Sequence, residues 1–251
     1  MPPSLSAILI AKDEEQDLPG CLKSLEGLAD EVVVVVDDST TDLTEAVAQA
    51  AGATVLKRRF DDYARQRQAS LDAATKDWCL WIDADERVTP ELAEEIRSIL
   101  KSPDKAGYYL PFEVRFLGKT LRWGGLGSEK HLRLFKRAAS RFTGGALHEG
   151  IEVDGELGRL SGKVTHIPYR DLADYHSKLD RYTTLAAEKR YAAGRRANIL
   201  HHLIGPWEFF ARAFLKLGAL DGFAGLTWAW LAAFHSHLKY AKLGRMQREA
   251  K

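Results

Sequence analysis

The chain has 251 residues, enough for one domain with an appendage or for two small ones, and its composition, 45% hydrophobic and 28% charged, excludes wholesale disorder. The formal net charge of +1 gives no support for nucleic-acid binding. The charge is unevenly spread: residues 1–100 carry 21 acidic and 10 basic side chains (net −11), and residues 189–251 carry 3 and 11 (net +8), which suggests a cation site in the first segment and an anionic surface for the second.

The first hundred residues alternate between strand and helix patterns. Leu5–Ile10 is a short apolar run with no basic segment before it, so it is interpreted as a first strand and not as a signal peptide. Further strands are expected at Glu31–Val36, Thr54–Lys57 and Trp78–Ile82, and helices from Leu18 to Gly27, at Thr41–Ala51, at Tyr63–Ala74 and after the cap Thr89-Pro90. This alternation predicts a parallel sheet that binds a ligand at the carboxyl ends of its strands.

The pattern changes after residue 106. Shorter strands are expected at Gly107–Phe116, at His131–Lys136 and near Glu149–Val153, and a long helix at Leu172–Tyr191. After Asn198, Trp and Phe alternate with Arg and Lys, and no uncharged stretch reaches the ~20 residues that a membrane span requires. These features favour helices that lie on an anionic membrane surface. The alternative is a helical pair packed on the rest of the chain or on a dimer partner.

The two cysteines, Cys21 and Cys79, both lie in apolar patterns. They are too few for a disulfide framework, so the sequence predicts buried, reduced thiols and a reducing compartment.

Two acidic clusters directly follow predicted strands. Asp37-Asp38-Ser39-Thr40-Thr41-Asp42 follows the valine run, and Asp83-Ala84-Asp85-Glu86 follows Ile82. In an α/β sheet both clusters emerge at one edge, where their mutual repulsion requires a cation or hydrogen-bond donors. Two carboxylates one residue apart suit a hard divalent cation that also binds phosphate oxygens. A D-x-D sequence alone is weak evidence, because acidic turns after strands are common.

Several motifs together resemble family 2 glycosyltransferases of the GT-A fold. The N-terminal stretch from Ala7 to Glu15, followed by the helix Leu18–Leu25, is similar to the opening of that family. Trp81-Ile82-Asp83-Ala84-Asp85-Glu86 matches its D-x-D motif, and the Asp37–Asp42 and Arg65–Gln68 segments resemble two further elements. Three further segments resemble a subgroup that contains lipopolysaccharide core glucosyltransferases: Leu132–Arg137, His148-Glu149, and Lys178 with Tyr182.

The resemblance implies a metal-dependent enzyme that uses a nucleotide-sugar. Asp85 would ligate Mg²⁺ or Mn²⁺, with His166 as a late ligand, and the ion would stabilise the departing nucleoside diphosphate. Asp37 would accept hydrogen bonds from the nucleobase or ribose, and Asp83 would hold the ribose and assist the metal. The full set of implied donor contacts is Ala11, Asp13, Glu14, Asp37, Arg65 (or Arg67), Gln68, Asp83, Ala84, Lys178 and Tyr182.

An inverting transfer also needs a base that takes the proton of the acceptor hydroxyl. Glu149 is the candidate, because it follows the glycine-rich bend Gly144-Gly145, and His148 beside it would orient it, reach the metal or contact the acceptor. Glu129 is a second candidate for acceptor contact. Arg133 is interpreted as an arginine on the sheet surface.

The expected architecture is α/β: a Rossmann-like GT-A fold with a mixed, mostly parallel sheet flanked by helices, then an amphipathic helical tail. Residues 1–195 would form the transferase domain, with residues 1–100 as the nucleotide-sugar half and 101–195 as the acceptor half, and residues 196–251 the membrane-surface tail. The expected partners are a nucleotide-sugar donor, a glycolipid acceptor and the anionic inner face of the inner membrane, reached from the cytoplasm.

Other functions stay open at this stage. A polyprenyl-phosphate or protein glycosyltransferase would share the fold, and so would a non-catalytic scaffold that binds sugar or lipid. A haloacid-dehalogenase phosphatase also begins with a strand and D-x-D, but no convincing set of its later elements follows Glu86. Glucose from UDP-glucose, moved to the lipopolysaccharide inner core, is the favoured reaction.

Overall fold

The chain folds into two compact units. The computed structural model describes residues 4–126, 130–145 and 148–249, and for Gly145, His148 and Glu149 it describes the backbone alone. One unit comprises Met1–Phe112 and Glu129–His166, and the other comprises Glu113–Ser128 and Ile167–Lys251. This division differs from the expected boundary at residue 195, because the helix Leu172–Ala192 packs on the C-terminal helix. Which segments serve donor and acceptor stays a prediction.

Twelve strands form a ten-stranded mixed sheet and a separate hairpin in the described part of the chain. Ten strands join in the order β3-β2-β1-β4-β8-β6-β12-β5, with β11 and β7 paired to β6, and β9 and β10 form the hairpin. The strands are β1 (Leu5–Ala11), β2 (Glu31–Asp37), β3 (Thr54–Arg58), β4 (Trp78–Trp81), β5 (Glu86–Val88), β6 (Gly107–Phe116), β7 (Lys119–Leu121), β8 (Lys130–Lys136), β9 (Ser140–Gly145), β10 (His148–Val153), β11 (Leu157–Arg159) and β12 (Val164–His166).

The parallel strands β1 to β4 form the buried centre of the first unit. Val33–Val36 in β2 are all 0% exposed. Val34 packs in a core cluster on one face of the sheet, and Val33 packs in a second cluster on the other face. Burial on both faces explains why the sequence shows a continuous apolar run here, where a half-buried strand would show alternation.

Seven α-helices flank the sheet or form the C-terminal region of the described chain. They are α1 (Leu18–Leu25), α2 (Thr44–Ala50), α3 (Tyr63–Ala73), α4 (Pro90–Leu100), α5 (Leu172–Ala192), α6 (Ile204–Phe210) and α7 (Gly222–Glu249). Thr89 caps α4 by accepting from Leu92 N, as predicted. Helix α2 begins three residues later than expected, because the Asp42 carboxylate accepts from Thr44 N and holds the preceding residues in a turn.

The second unit is a helical assembly with a short β-ribbon. Helix α5 packs on α7, and Tyr175 Oη donates to Leu231 O at 2.7 Å. The buried Asp221 carboxylate accepts from the backbone N–H groups of Arg122 and Trp123, both at 2.9 Å. By length and composition none of the described helices could cross a membrane alone, whereas Ile199–Leu215 and Gly218–Glu249, which meet at a bend of 70°, satisfy the same criterion as a pair.

The predicted fold class is confirmed: a mixed sheet with a parallel core, flanking helices and a long C-terminal helix. The thiol prediction is confirmed as well, since Cys21 and Cys79 are free and buried.

Candidate active site

The polar residues predicted for the site follow three adjacent parallel strands. Strand β1 lies between β2 and β4, with Ala11 opposite Val36 and Ile8 opposite Trp81. Because all three strands run the same way, the residues after them emerge at the same carboxyl edge. The acidic clusters at Asp37 and Asp83 therefore belong to one edge of the first unit, as the sequence predicted.

Asp37 is held as an ionised acceptor at the end of β2. Its carboxylate accepts from Ser39 N at 2.9 Å and from Ser39 Oγ at 2.8 Å, and Lys12 Nζ lies 3.6 Å away. Burial alone would raise the pKa of Asp37, but the Ser39 hydrogen bonds and the Lys12 charge outweigh burial, so the pKa lies below its ordinary value. A buried carboxylate with these partners is suited to accept from hydroxyl or ring N–H groups of a ligand.

Asp13 and Glu14 link the loop after β1 to the loop after β2. Asp13 adopts φ +54°, a left-handed conformation that Asp tolerates better than most residues, and accepts from Thr41 N at 2.9 Å. Glu14 N donates to Thr44 Oγ1 at 2.7 Å. These contacts fix the two loops against each other beside Asp37.

Asp83 is surrounded by donors. It accepts from Arg67 Nη1 and Arg133 Nη2, both at 3.1 Å, and from Trp81 Nε1 at 3.3 Å. Burial would raise the pKa of Asp83, but the two guanidinium charges lower it below the ordinary range. Asp83 is therefore ionised, and much of its hydrogen-bonding capacity is used within the protein.

The two arginines also enclose an aromatic ring. Arg67 Cζ and Arg133 Cζ lie 4.1 and 4.0 Å from the Trp81 ring centroid. Arg133 Nη2 also donates to Glu86 Oε1 at 2.9 Å, and Glu86 Oε2 accepts from Asp83 N at 2.8 Å. Burial and the neighbouring carboxylates raise the pKa of Glu86 in spite of Arg133. Arg133 thus links Trp81, Asp83 and Glu86 in one network.

The interpretation of Arg133 as a sheet-surface arginine is wrong, because its side chain is buried and pairs with Asp83 and Glu86. Its Nε and Nη1 are buried and have no hydrogen-bond partner among the described residues. The Leu-Arg-Leu-Phe pattern did not indicate that this arginine is buried, since an arginine between apolar residues in a strand normally points to water.

Asp85 and His166 form the candidate metal site. Strand β12 pairs antiparallel with β5, with His166 opposite Glu86, and His166 Nε2 lies 3.1 Å from Asp85 Oδ2. Burial lowers the pKa of His166, but the Asp85 hydrogen bond and the nearby carboxylates outweigh burial and raise it. Both side chains are partly exposed, at 27% and 35%.

A carboxylate and an imidazole side by side suit Mn²⁺ or Mg²⁺ when other oxygen ligands are available. Within the described residues no group of three or more His, Cys, Asp or Glu side chains could hold an ion. The arrangement therefore fits an ion that takes most of its ligands from water and from a bound diphosphate, which is how Mg²⁺ is commonly held.

A cavity of about 390 Å³ lies next to this network within the first unit. Its lining includes Asp83, Tyr109, Lys130, His131, Gly150 and Ile151. Gly150 and Ile151 belong to β10, the strand in which Glu149 pairs with Gly144. The cavity thus joins the D-x-D segment to the strand that carries the predicted base. The side chains of Glu149 and His148, and all of Glu129, lie outside the described residues.

Helix α3 brings Arg67 to the site and not Arg65. The Arg65 side chain is 71% exposed and pairs with Asp61 and Asp62, whereas Arg67 is buried on Asp83. Arg67 lies three residues after the buried Ala64 and four before the buried Leu71, so helical spacing was a signal that distinguishes the two arginines.

Gln68 and Ala84 have structural contacts. Gln68 Nε2 donates to Asp72, and Gln68 Oε1 accepts from Phe142 N at 2.8 Å, which ties α3 to β9. Ala84 is buried, and its carbonyl accepts from Arg87 Nη1 at 2.7 Å.

Lys178 and Tyr182 belong to α5 in the second unit. Lys178 Nζ lies 3.1 Å from Asp174 Oδ2 and donates to Pro168 O at 3.1 Å. Tyr182 is 49% exposed. The predicted donor contacts of both residues stay predictions.

Comparison with known proteins finds similarity to glycosyltransferases. The model of glycosyl transferase family 2 matches residues 6–152. The lipopolysaccharide core biosynthesis glycosyltransferase LpsC of Rhizobium meliloti (strain 1021) is 29% identical over 248 residues, which are 95% of this chain and 91% of LpsC. The uncharacterized glycosyltransferase RT0209 of Rickettsia typhi is 26% identical over 98% of this chain and 89% of its own length.

Solved structures give more distant likenesses. Residues 1–349 of S. aureus TarS align over 99% of this chain and 92% of that structure, at 12% identity and a TM-score of 0.48. Glucosyl-3-phosphoglycerate synthase from Mycobacterium tuberculosis, in complex with Mn²⁺ and UDP-glucose, aligns at 21% identity and a TM-score of 0.42, over 55% of this chain and 57% of that chain.

The family match begins in β1 and ends in β10, so it includes the loops after β1 and β2, the D-x-D segment and the hairpin that carries Glu149. It covers more than half of the chain. This protein therefore belongs to glycosyl transferase family 2 and is a glycosyltransferase.

Proposed function

We propose that this glycosyltransferase moves glucose from UDP-glucose, with inversion, onto a membrane-associated glycolipid, the inner core of lipopolysaccharide. The observation that carries the proposal is the Asp85–His166 pair, 3.1 Å apart beside the partly buried Asp83–Arg133 contact. The near-full-length similarity to a lipopolysaccharide core biosynthesis glycosyltransferase supports the choice of acceptor.

Each residue would have a distinct task in this reaction. Asp37 would accept from the nucleoside, and Asp83, held by its two arginines, would face the ribose. Asp85 and His166 would hold Mn²⁺ or Mg²⁺, which when bound neutralises the diphosphate charge. Glu149 would take the proton of the acceptor hydroxyl. At the same time the hydroxyl oxygen would bond to the anomeric carbon from the face opposite UDP. The bond between that carbon and the diphosphate oxygen breaks, and UDP leaves.

Two alternatives share these features. A polyprenyl-phosphate or protein acceptor would use the same donor site, and a non-catalytic scaffold would retain binding without turnover. The presence of Asp37, Asp83 and Asp85 together with the candidate base Glu149 favours an enzyme, because a scaffold that only binds would need no base.

The donor proposal predicts selective stabilisation by one nucleotide-sugar. With Mn²⁺ present and UDP-glucose at about 100 times its dissociation constant, ligand binding contributes about 2.7 kcal/mol and raises Tm by roughly 5–10 °C. The measurement is a thermal-shift panel of UDP-, GDP-, CMP- and dTDP-sugars, followed by a donor-hydrolysis assay. A larger Tm shift with another nucleotide-sugar would identify that compound as the donor in place of UDP-glucose. Stabilisation without hydrolysis or transfer would favour the non-catalytic scaffold.

The second unit supports the membrane part of the proposal. Large apolar side chains on several helical segments of this unit remain exposed: Ile199 (78%), Trp207 (60%), Phe214 (52%), Phe223 (81%) and Trp230 (54%). Residues 189–251 also hold 11 basic and 3 acidic side chains. Exposed aromatic residues combined with excess positive charge suit an anionic lipid surface, where burial and head-group attraction add.

We therefore expect the protein to co-sediment with anionic liposomes, and raised salt to weaken this binding without abolishing it. Trp207→Ser with Phe223→Ser should reduce vesicle affinity at least about tenfold, because each side chain loses part of the 1.5–3 kcal/mol that full burial provides. The matched control is Leu43→Ser with Leu157→Ser, which removes exposed apolar residues from the first unit.

Deletion of residues after Asn198 is a poor test of membrane binding. It would remove α7, whose Leu231 packs in the core cluster with Tyr175 and Leu179 of α5. If the full-length protein does not bind anionic liposomes at low salt, the tail is a packing or dimerisation element.

A further inference from the structure

The second unit contains a cavity of about 800 Å³, and none of the residues proposed for the transfer reaction lines it. It lies between the end of α5, residues 196–202 and the C-terminal part of α7. Its lining carries Arg196, Arg248, His201, His202, Tyr191 and Tyr240, and among the described residues no carboxylate lines it. A cavity of this size, lined by cationic side chains and hydrogen-bond donors and by no described carboxylate, is suited to a small anionic ligand.

The donors at the cavity are held in place by local contacts. Asn198 N donates to His201 Nδ1 at 2.8 Å, so the neutral His201 ring carries its proton on Nε2 and is a donor there. The His201 ring lies against the Tyr240 ring with centroids 4.2 Å apart and a tilt of 30°, and Arg196 Cζ lies 4.8 Å from the Tyr191 ring centroid. This preorganisation lowers the entropy cost of binding a ligand.

Positive charge around the cavity is incompletely compensated. Arg190 Cζ and Lys239 Nζ lie 5.6 and 5.0 Å from the same Tyr240 ring. Burial lowers the pKa of Lys239, and the charge of Arg190 lowers it further, against a weaker opposing effect of Glu208. The Glu208 carboxylate is itself paired with Arg212 at 2.6 Å.

Two buried donors at this place have no partner. Arg190 Nε and Gln247 Nε2 are buried and make no hydrogen bond within the described residues, and Gln247 lines the cavity. An unsatisfied buried donor costs stability, and such groups commonly mark a missing ligand, ion or water.

We propose that this cavity binds a phosphate group. Phosphate offers several charged acceptor oxygens, which match two arginines and the donors around them better than a single carboxylate does. The phosphate could belong to a lipid headgroup or to a free phosphate ester. A lipid source is accessible, because Ile199 lines the cavity and is one of the exposed apolar residues of this unit. The proposal does not depend on the donor sugar or on transfer activity.

Gly244 provides a direct test because it lines the cavity from the C-terminal part of α7. A Cβ there would meet only Ala197 Cβ and Arg248 Nη1, both at 3.8 Å, and Glu and Lys are better helix formers than Gly. Gly244→Glu and Gly244→Lys add side chains of similar size and opposite charge. The two variants differ by two unit charges, and each charge changes the affinity roughly fivefold. The Lys variant should therefore bind phosphate about 25-fold more tightly than the Glu variant.

Two probes separate the sources: glycerol 3-phosphate by calorimetry, and phosphatidylcholine vesicles containing phosphatidic acid by co-sedimentation. Arg248→Gln should weaken binding, whereas Arg245→Gln, which removes a charge from the same helix outside the cavity lining, should change it little. If the Gly244→Glu and Gly244→Lys variants differ in affinity for the vesicles alone, the ligand is a lipid headgroup. If they also differ in affinity for glycerol 3-phosphate, the site accepts phosphate esters in general. Equal affinities of the Glu and Lys variants for both probes would overturn the proposal.

Discussion

Replacing Glu149 by glutamine is expected to lower kcat at least about 100-fold, the usual contribution of a general base, while the affinity for UDP-glucose stays unchanged. Glutamine keeps the size of the side chain but cannot accept the proton of the acceptor hydroxyl. Glu149 pairs with Gly144 in the β9–β10 hairpin, and the next two residues, Gly150 and Ile151, line the cavity beside Asp83. The measurement is single-turnover transfer, with donor affinity from calorimetry.

The matched control is Glu152→Gln in the same strand. Glu152 is exposed and pairs with Arg141 at 2.6 Å, so the same chemical change there should leave turnover within a few-fold of the unmodified enzyme. Near-normal turnover of Glu149→Gln would instead direct attention to Glu129 or Asp38. A loss of donor affinity equal to the loss of turnover would assign Glu149 to binding.

The fold of the first unit follows from patterns that carry a direct physical meaning. The valine run predicted a strand buried on both faces, and Thr89-Pro90 predicted the first turn of α4. The second unit was harder to predict. The bend of 70° between Ile199–Leu215 and Gly218–Glu249 falls at Leu217, which adopts φ +59°. Leucine rarely adopts that conformation, so tertiary packing overrides local preference there.

The site was predictable where a residue follows its strand directly, and less so where partners are distant in sequence. Asp83 and Asp85 follow β4, so their position was evident from the pattern. Arg133 lies 50 residues from Asp83 and reaches it because β8 pairs antiparallel with β4, with Leu80 opposite Leu134. Strand order and register are not encoded in a local pattern, and an arginine in a strand gives no indication of which carboxylate it will meet.

The same reasoning separates the tasks of the two aspartates in the D-x-D segment. Asp83 is occupied by two arginines and Trp81, and loss of its carboxylate would leave the buried Arg133 without one of its two acids. A variant of Asp83 would therefore confound donor binding with stability. Asp85 contacts His166 and is partly exposed, so it can be changed with less risk to the fold.

Asp85→Ala is therefore expected to abolish the enhancement of UDP affinity by Mn²⁺ while the protein remains folded. The variant leaves His166 as the single metal-binding side chain of the pair, too few ligands to hold the ion against water. Calorimetry of UDP with and without Mn²⁺ measures the effect, and the unchanged far-UV circular dichroism of the variant controls for folding. Asp154→Ala, an exposed aspartate in the turn after β10, is the matched substitution and should retain full metal dependence. If Asp85→Ala keeps the same Mn²⁺ enhancement as the unmodified protein, the ion is held elsewhere and the Asp85–His166 pair is a structural contact.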